Sequence, residues 1–167
     1  INVSGCDDRD KSGGCYADYF TNKNSYTISN IHGTWRRNGS EDDIFIDLVE
    51  KLPDEYRQRY DVVFNHTTIE HIYEINTAIK NLCELSRDVV ILLVPFRQDV
   101  HFEEDTFLDF WRPTHFALEK MFKENGFDVV CSANNENPVY FVYLFCIASR
   151  HPDRWGDAFK NVISKHP

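Results

Sequence analysis

One stretch of the chain decides its fold: residues 60–72, which read YDVVFNHTTIEHI. The apolar run inside 61–65, which ends at the polar pair Asn65-His66, predicts a β-strand. In the following segment, 74–85, apolar residues recur at the three- and four-residue spacing of one helical face: Ile75, Ala78, Ile79, Leu82 and Leu85. A strand followed by such a helix predicts a helix packed on a sheet, which is the repeating unit of α/β proteins.

The rest of the chain repeats this alternation of strands and helices. A second helix is predicted at 114–125, opened by Thr114 as its N-cap and closed by Asn125-Gly126. The strand at 89–95 is apolar throughout, which is typical of a central strand covered on both faces of a parallel sheet. The predicted strands are 1–4, 26–29, 44–48, 61–65, 89–95, 128–132 and 140–148.

The last two predicted strands break the alternation. Residues 133–139 between them are too few and too polar for a crossover helix, so the two strands are expected to pair as an antiparallel hairpin. The second strand carries aromatic residues on both faces, which predicts an edge strand that contributes to the core and to a dimer surface: Tyr140, Phe141, Tyr143 and Phe145. The predicted fold is α/β, with a largely parallel seven-stranded sheet that ends in an antiparallel hairpin.

Length, charge and cysteine usage limit the classes of function. The 167 residues fit one domain, predicted at 1–150, with a helix or linker at 151–167. The net charge of -9 repels a phosphate backbone, so no nucleic-acid partner is expected. No apolar run approaches the roughly 20 residues that span a bilayer, so no membrane insertion is expected. Five cysteines, an odd count without a CxxC pair, favour a reduced, cytoplasmic location.

Three local sequences resemble one known family. Leu52-Pro53 followed by residues 60–72 is similar to the family's run around its fourth strand, and Val94-Pro95 is similar to the end of its fifth strand. His101, the run FWRPT at 110–114 and Gly126-Phe127 resemble members that modify sugars and polysaccharides. On these residues the chain is similar to class I S-adenosylmethionine (SAM)-dependent methyltransferases. The resemblance implies a Rossmann-like fold, with an N-terminal part that is expected to be truncated.

The resemblance also implies where the cofactor SAM binds. The family carries a glycine loop after its first strand, an acidic residue for the ribose after its second, and an Asp for the adenine amine after its third. This chain has one glycine in place, followed by the charged run 7–11, which is expected to face solvent; the alternative is that one of its carboxylates pairs with the ammonium group of SAM. The implied cofactor-binding residues lie at the ends of four strands: Ser4, Gly5, Asn30, Asp47 and Asn65, with Asp43 as the alternative to Asp47.

Three histidines are candidates for the general base of a methyl transfer: His71, His101 and His66. Glu70 and His71 are expected to begin the helix after the fourth strand, a position that faces the reacting methyl group in this fold. The alternative is that Glu70 stabilises the helix N-terminus electrostatically and His71 only packs. No metal ion is expected, because the acidic residues 103–105 beside His101 are typical of a solvated loop.

Trp111 and Arg112 are the candidates for binding the acceptor. A pyranose ring has an apolar face and polar hydroxyls, which suit an indole and a guanidinium; alternatively, Trp111 covers the core beneath its loop. The predicted activity is O-methylation of a sugar or polysaccharide hydroxyl, on a small-molecule or glycan acceptor. The alternative is a catalytically inactive binding or scaffold domain of a larger polysaccharide-processing protein. A homo-oligomer or a larger parent protein is left open.

Overall fold

The computed structural model describes residues 1–31, 44–135 and 142–159. Within these residues one sheet contains seven strands in the order β3-β2-β1-β4-β5-β7-β6. The strands are β1 (Asn2–Val3), β2 (Ile28–Asn30), β3 (Ile44–Phe45), β4 (Tyr60–His66), β5 (Ser86–Pro95), β6 (Asp128–Asn134) and β7 (Tyr143–Ser149), and the helices are α1 (Ile75–Leu85) and α2 (His115–Glu124).

The sheet is parallel from β3 to β5, and only β7 runs antiparallel to its neighbours β5 and β6. The predicted α/β fold, a largely parallel sheet with an antiparallel end, is therefore confirmed. The chain adds β2 and β3 on one side of β1 and β4 and β5 on the other. Open α/β sheets bind their ligands at the carboxyl ends of the strands where the order reverses, and here these strands are β1 and β4.

The position of β7 differs from the prediction of an edge strand. It pairs with β5 on one side and with β6 on the other, so β6 is the edge strand. The reason is burial: Leu144, Cys146 and Ala148 lie in the main core, and an edge position would leave one side of this apolar strand unpaired. Tyr140 and Phe141 lie outside the described residues.

The helices lie where the apolar periodicity predicts them. The buried face of α1 includes Ile75, Ile79 and Leu82, and these residues pack in the same core as the central strands. Thr114 accepts a hydrogen bond from the backbone N–H of Ala117 (3.2 Å) and so caps α2 as predicted. None of the helices in the described ranges is long and apolar enough to cross a membrane.

The segment predicted as a terminal helix or linker is only partly described. Residues Pro152–Arg154 form a short 3-10 turn, and the chain continues in turns to Phe159. Trp155 and Phe159 pack against a small second cluster around Val89, Cys131 and Ile147. The described part of this segment therefore covers the face of the sheet that carries this second cluster. Residues 160–167 lie outside the described ranges.

Candidate active site

The loop after β1 depends on a glycine at position 5. A Cβ atom there would lie 2.6 Å from Asn2 Nδ2 and 3.1 Å from Ile28 Cγ2. Asn2 is fully buried, so it has no room to move away. The N–H of Gly5 donates to the carbonyl oxygen of Ser29 (3.1 Å), which holds the loop against β2. Gly5 is thus fixed by close packing between β1 and β2.

The charged run 7–11 does not face solvent as a whole. Asp8 is only 5% exposed, and its carboxylate accepts hydrogen bonds from Asn2 Nδ2 (2.8 Å), the Tyr26 hydroxyl (2.7 Å) and the Ala17 N–H (3.0 Å). The expectation of a solvent-facing run is therefore wrong for Asp8, although Asp7 is exposed. The reason is that Asp8 supplies the acceptor for three donors enclosed by the segment between β1 and β2.

Three residues of this loop that are not glycine adopt the left-handed backbone region. The φ angles are 56° for Ser4, 50° for Cys6 and 59° for Asp8. Such a conformation is costly for a residue with a Cβ and persists only where the surroundings hold it. Here the hydrogen bonds of Asp8 and Gly5 supply that restraint. The loop therefore makes its tight turns at residues that carry a side chain.

The other predicted cofactor residues lie at the same carboxyl edge. Asn30 ends β2, and its side chain bonds both backbone groups of Cys6, accepting from N–H (2.8 Å) and donating to C=O (3.3 Å). Asn65 is fully buried near the end of β4 and donates to the carbonyl oxygen of Val3 (2.9 Å). Asp47 follows β3, half-buried, and accepts from the N–H of Val49 (3.0 Å), whereas the alternative, Asp43, lies outside the described residues. The structure thus brings Ser4, Gly5, Asn30, Asp47 and Asn65 to neighbouring strand ends, and their contacts with a cofactor stay predictions.

His66 ends β4 and packs in an aromatic group. Its ring centroid lies 4.1 Å from that of Tyr16 and 5.3 Å from that of Phe64. Burial lowers the pKa of His66, so the imidazole is neutral near pH 7. A neutral imidazole is able to accept a proton, which keeps His66 among the candidate bases.

Glu70 and His71 lie on the 3-10 turn Ile69–His71, and α1 begins four residues after His71. The prediction that they begin the helix is therefore wrong, because the backbone at Ile72 is extended (φ -107°, ψ 112°). The alternative role of Glu70, stabilising the helix N-terminus, fails for the same reason. Glu70 is instead fully buried, and burial raises its pKa to about 7.

His71 and His101 meet beside Glu70. Nδ1 of His71 lies 2.8 Å from the carbonyl oxygen of Leu108. Because a carbonyl only accepts, Nδ1 carries the proton and Nε2 has the free lone pair. Nε2 lies 3.7 Å from Glu70 Oε1, and the ring of His101 stands edge-on to that of His71 with a centroid distance of 4.9 Å. Burial lowers the pKa of His71, which favours the neutral form.

Asp109 fixes the loop that carries His101. Oδ2 of Asp109 accepts a hydrogen bond from the backbone N–H of His101 (2.9 Å) and lies 3.2 Å from Nδ1 of the same residue. Hydrogen bonds from Arg112 hold the pKa of Asp109 at about 2, so the carboxylate is charged. The carboxylate in contact with His101 is thus Asp109, whereas the acidic residues 103–105 are exposed as expected.

The N–H groups of Arg112 donate their hydrogen bonds to other groups of the protein. The guanidinium has five N–H groups, and these bond both oxygens of Asp109 and the carbonyl oxygens of Gln98, Asp99 and Trp111. Arg112 therefore organises the loop between β5 and α2. Its predicted contact with an acceptor stays a prediction, and only the flat face of the guanidinium is left to make it.

Trp111 is held by its indole nitrogen, with its ring partly open. Nε1 donates to the carbonyl oxygens of Ile72 (3.0 Å) and Tyr73 (3.2 Å), while 36% of the residue is exposed. Tyr73 is 65% exposed, and its ring lies 5.4 Å from that of Phe110 between centroids. These three residues, Tyr73, Phe110 and Trp111, form an open aromatic surface, and the backbone N–H groups of Phe110 and Trp111 donate to the carbonyl oxygen of Glu70.

Two residues with a clear role in this region were missing from the predicted site. Asp109 was signalled by its spacing of three residues before Arg112, the distance of a short-range ion pair. Asp8 had no such signal, because its partners Ala17 and Tyr26 lie 9 and 18 residues away in the chain. Only the folded segment between β1 and β2 reveals it.

Comparison with known proteins identifies the fold. No model of a protein family matches the chain, and no curated protein matches its sequence. A SAM-dependent methyltransferase from Mesorhizobium loti has a similar structure, with a TM-score of 0.63, 8% identity and 89% of each chain covered. Magnesium protoporphyrin IX methyltransferase from Synechocystis with bound SAM has a TM-score of 0.56 and 14% identity, and the match covers 89% of this chain and 68% of that one.

A third solved structure is the 1,6-didemethyltoxoflavin-N1-methyltransferase of Burkholderia thailandensis, with its substrate and S-adenosylhomocysteine (SAH) bound. It has a TM-score of 0.57 and 15% identity, and the match covers 89% of this chain and 69% of that one. The chain therefore has the fold of class I SAM-dependent methyltransferases. At these identities the similarity extends to the fold alone.

Proposed function

We propose that this chain binds SAM at the carboxyl edge of its sheet and transfers the methyl group to an acceptor hydroxyl. One observation carries the proposal: the reversal of the strand order between β1 and β4, with the Gly5 loop at the carboxyl end of β1. The Synechocystis and Burkholderia enzymes of the same fold contain SAM and SAH, respectively.

The cofactor would lie across the strand ends already described. In this proposal the backbone at Ser4-Gly5, which close packing of Gly5 holds at the end of β1, contacts the methionine part of SAM. In the same proposal Asp47 accepts a hydrogen bond from the adenine amine. Asn30 ends β2, where the resemblance implies an acidic residue, and contacts the ribose. Asn65 ties β4 to Val3 and so fixes the spacing of the two strands between which the order reverses.

Methyl transfer then needs an aligned acceptor and a place for its proton. The acceptor oxygen attacks the SAM methyl carbon, the C–O bond forms as the C–S bond breaks, and SAH leaves with the sulfur electron pair. His71 is the best-placed base, because the Leu108 carbonyl fixes its proton on Nδ1 and leaves Nε2 free to accept the hydroxyl proton. Such a base contributes roughly 10²–10⁴-fold to the rate. His101 and His66 are the other candidates.

The acceptor in this proposal is a sugar or polysaccharide hydroxyl, methylated in the cytoplasm. Support comes from the open aromatic surface of Tyr73, Phe110 and Trp111, which offers apolar faces for a pyranose ring and is bonded to the backbone of Glu70. The two named enzymes of the same fold take a porphyrin and a toxoflavin precursor, so the fold does not select a sugar.

Transfer of a labelled methyl group tests the activity and the acceptor together. The protein is incubated with methyl-labelled SAM and a panel of oligosaccharides, simple sugars and flat aromatic alcohols. We expect label in a sugar methyl ether, reduced at least about tenfold in His71→Asn, since a positioned base contributes that much or more. Label only in aromatic alcohols contradicts the sugar acceptor. If no acceptor is labelled, the result contradicts the proposed methyltransferase activity.

The second candidate is a binding or scaffold domain that has lost catalysis. It is favoured by Asp7, which stands in the loop where the family carries a further glycine, and by Asn30, whose amide is already bonded to Cys6. This candidate predicts neither SAH binding nor methyl transfer. Saturable binding of SAH would contradict this second candidate.

A further inference from the structure

We propose that Glu70, His71 and His101 form a binding site for one divalent transition-metal ion. Each residue offers one ligand atom, and the three atoms lie within 4.8 Å of one another. This inference departs from the expectation of no metal, which considered only the exposed acidic residues beside His101. Metal binding stands on its own geometry, whereas the role of the ion in methyl transfer rests on the proposed function.

The spacing of the three ligand atoms suits a single ion. Nε2 of His71 and Oε1 of Glu70 lie 3.7 Å apart. Two ligands of one tetrahedral Zn²⁺ ion, each about 2.0–2.2 Å from the metal, lie roughly 3.4 Å apart. A small rotation of the side chains closes that difference for this pair, and the distances to His101, within 4.8 Å, need a larger rotation.

Glu70 provides an independent observation that points to a cation. Its side chain is fully buried, and within the described part of the chain neither carboxylate oxygen has a hydrogen-bond partner. Buried carboxylates are normally paired or coordinate metals. Arg112 does not fill this role, because all of its N–H donors already bond Asp109 and backbone carbonyl oxygens. A bound divalent cation would give Glu70 the partner it lacks.

His71 is oriented as metal ligands usually are. A ligating imidazole commonly directs its second ring nitrogen at a backbone carbonyl or a carboxylate, which fixes the ring and its tautomer. Nδ1 of His71 lies 2.8 Å from the carbonyl oxygen of Leu108. Nδ1 of His101 lies 3.2 Å from Asp109 Oδ2 but makes no hydrogen bond within the described residues, so this ring must turn to gain the same support. Asp109 is itself held by Arg112.

The ligand set selects the class of ion. Two imidazoles and one carboxylate suit Zn²⁺, Co²⁺ or Fe²⁺, whereas Mg²⁺ and Ca²⁺ prefer sites made of oxygen ligands. Three protein ligands leave at least one position open. The side chain of His101 is 39% exposed, so the cluster lies close enough to the surface for a further ligand to enter.

In the proposed reaction the open position takes the acceptor hydroxyl. A metal-bound hydroxyl would have a lowered pKa and would lose its proton to solvent water without a histidine base, because the ion acts as a Lewis acid. His71 Nε2 cannot hold the ion and accept a proton at the same time. The metal site and the His71 base are therefore alternative ways to activate the same hydroxyl.

Titration with Co²⁺ tests the site without SAM or an acceptor. The protein is treated with chelator, dialysed and titrated with Co²⁺ while visible absorption is recorded; Zn²⁺ is then titrated by calorimetry. We expect one saturable site per chain, with d–d bands of low-symmetry Co²⁺. Affinity falls at least about 100-fold in Glu70→Gln, His71→Asn and His101→Asn, and about 10–100-fold in Asp109→Asn.

Matched variants separate the site from general attraction of cations to an acidic protein. Glu104→Gln removes an exposed carboxylate of the same loop, and His151→Asn removes an exposed histidine elsewhere; both are expected to bind like the parent protein. Thermal unfolding of each variant checks that it folds, and Glu70→Gln keeps the shape of the side chain. Absence of a saturable site, or equal affinity in Glu70→Gln and Glu104→Gln, overturns the proposal.

The same samples distinguish this failure from failure of the proposed function. If SAH binds but no metal does, the metal site is wrong and the methyltransferase proposal stands. If the metal binds with the expected dependence on Glu70 and SAH does not, the site is right and its role in methyl transfer is wrong.

Discussion

Asn2 on β1 donates a 2.8 Å hydrogen bond to the carboxylate of Asp8, six residues further along the chain. Both residues are buried, and the same carboxylate also bonds Tyr26 and the backbone of Ala17. The segment between β1 and β2 contains only the short 3-10 turn Tyr16–Tyr19, so it has little regular structure of its own. Asp8 is therefore one of the residues that join this segment to the sheet.

Replacing Asp8 should therefore destabilise the protein strongly. Asp8→Ala leaves three donors without their acceptor, and each buried unsatisfied group costs about 1–3 kcal/mol. We expect the free energy of unfolding in urea to fall by about 3 kcal/mol, since part of the loop can rehydrate. The exposed Asp7→Ala variant should change it by less than about 0.5 kcal/mol. Equal effects of the two substitutions would show that Asp8 has no structural role.

Gly5 should tolerate no side chain. The methyl group of Gly5→Ala would lie 2.6 Å from Asn2 Nδ2, so β1, β2 or the Asp8 contact must shift. Overpacking of this kind costs about 1–3 kcal/mol, which thermal and urea unfolding will measure. Gly156→Ala is the control, because nothing lies within 4 Å of a Cβ there. A Gly5→Ala protein as stable as the Gly156→Ala protein would contradict the packing described for the loop.

Asp47 should determine affinity for the cofactor. A hydrogen bond to a charged group contributes about 1.5–3 kcal/mol, so Asp47→Ala should weaken SAH binding by roughly 10- to 150-fold. Thermal stabilisation by a series of SAH concentrations measures this change. The control is Glu50→Ala, an exposed acid three residues further on. Unchanged stabilisation in Asp47→Ala would remove Asp47 from the cofactor site.

Thr114 should stabilise α2 through its cap. Thr114→Ala removes the acceptor of the Ala117 N–H, and loss of an N-cap costs typically about 1 kcal/mol. Thr106→Ala, in the exposed part of the preceding loop, is the matched control and should be nearly neutral. If unfolding in urea does not separate the two variants, the cap contributes nothing to stability.

The elements with a strong apolar pattern could be predicted from the sequence. The run in β5 and the periodicity of α1 identify a central strand and its covering helix, and the structure places both as expected. The sequence also predicts that β6 and β7 pair antiparallel, but not that β7 inserts between β5 and β6. A hairpin is a local pattern, whereas the neighbour on the other side of β7 is set by contacts distant in sequence.

The candidate site could be predicted only in part for a related reason. The strand ends that hold Gly5, Asn30, Asp47 and Asn65 follow from chain order, because carboxyl ends of parallel strands meet at one edge. The burial of Glu70 does not follow, since it depends on the loop at 101–112 folding over it: the N–H groups of Phe110 and Trp111 bond its carbonyl oxygen. Sequence alone shows that loop only as exposed acidic and aromatic residues.

Calorimetric titration with SAH tests the central claim, a cofactor site at the carboxyl ends of β1 and β4, most directly. We predict a saturable heat that fits one site per chain and is strongly reduced in Asp47→Ala but not in Glu50→Ala. No heat, together with no thermal stabilisation at millimolar SAH, would contradict the claim and leave a methyltransferase fold without its cofactor.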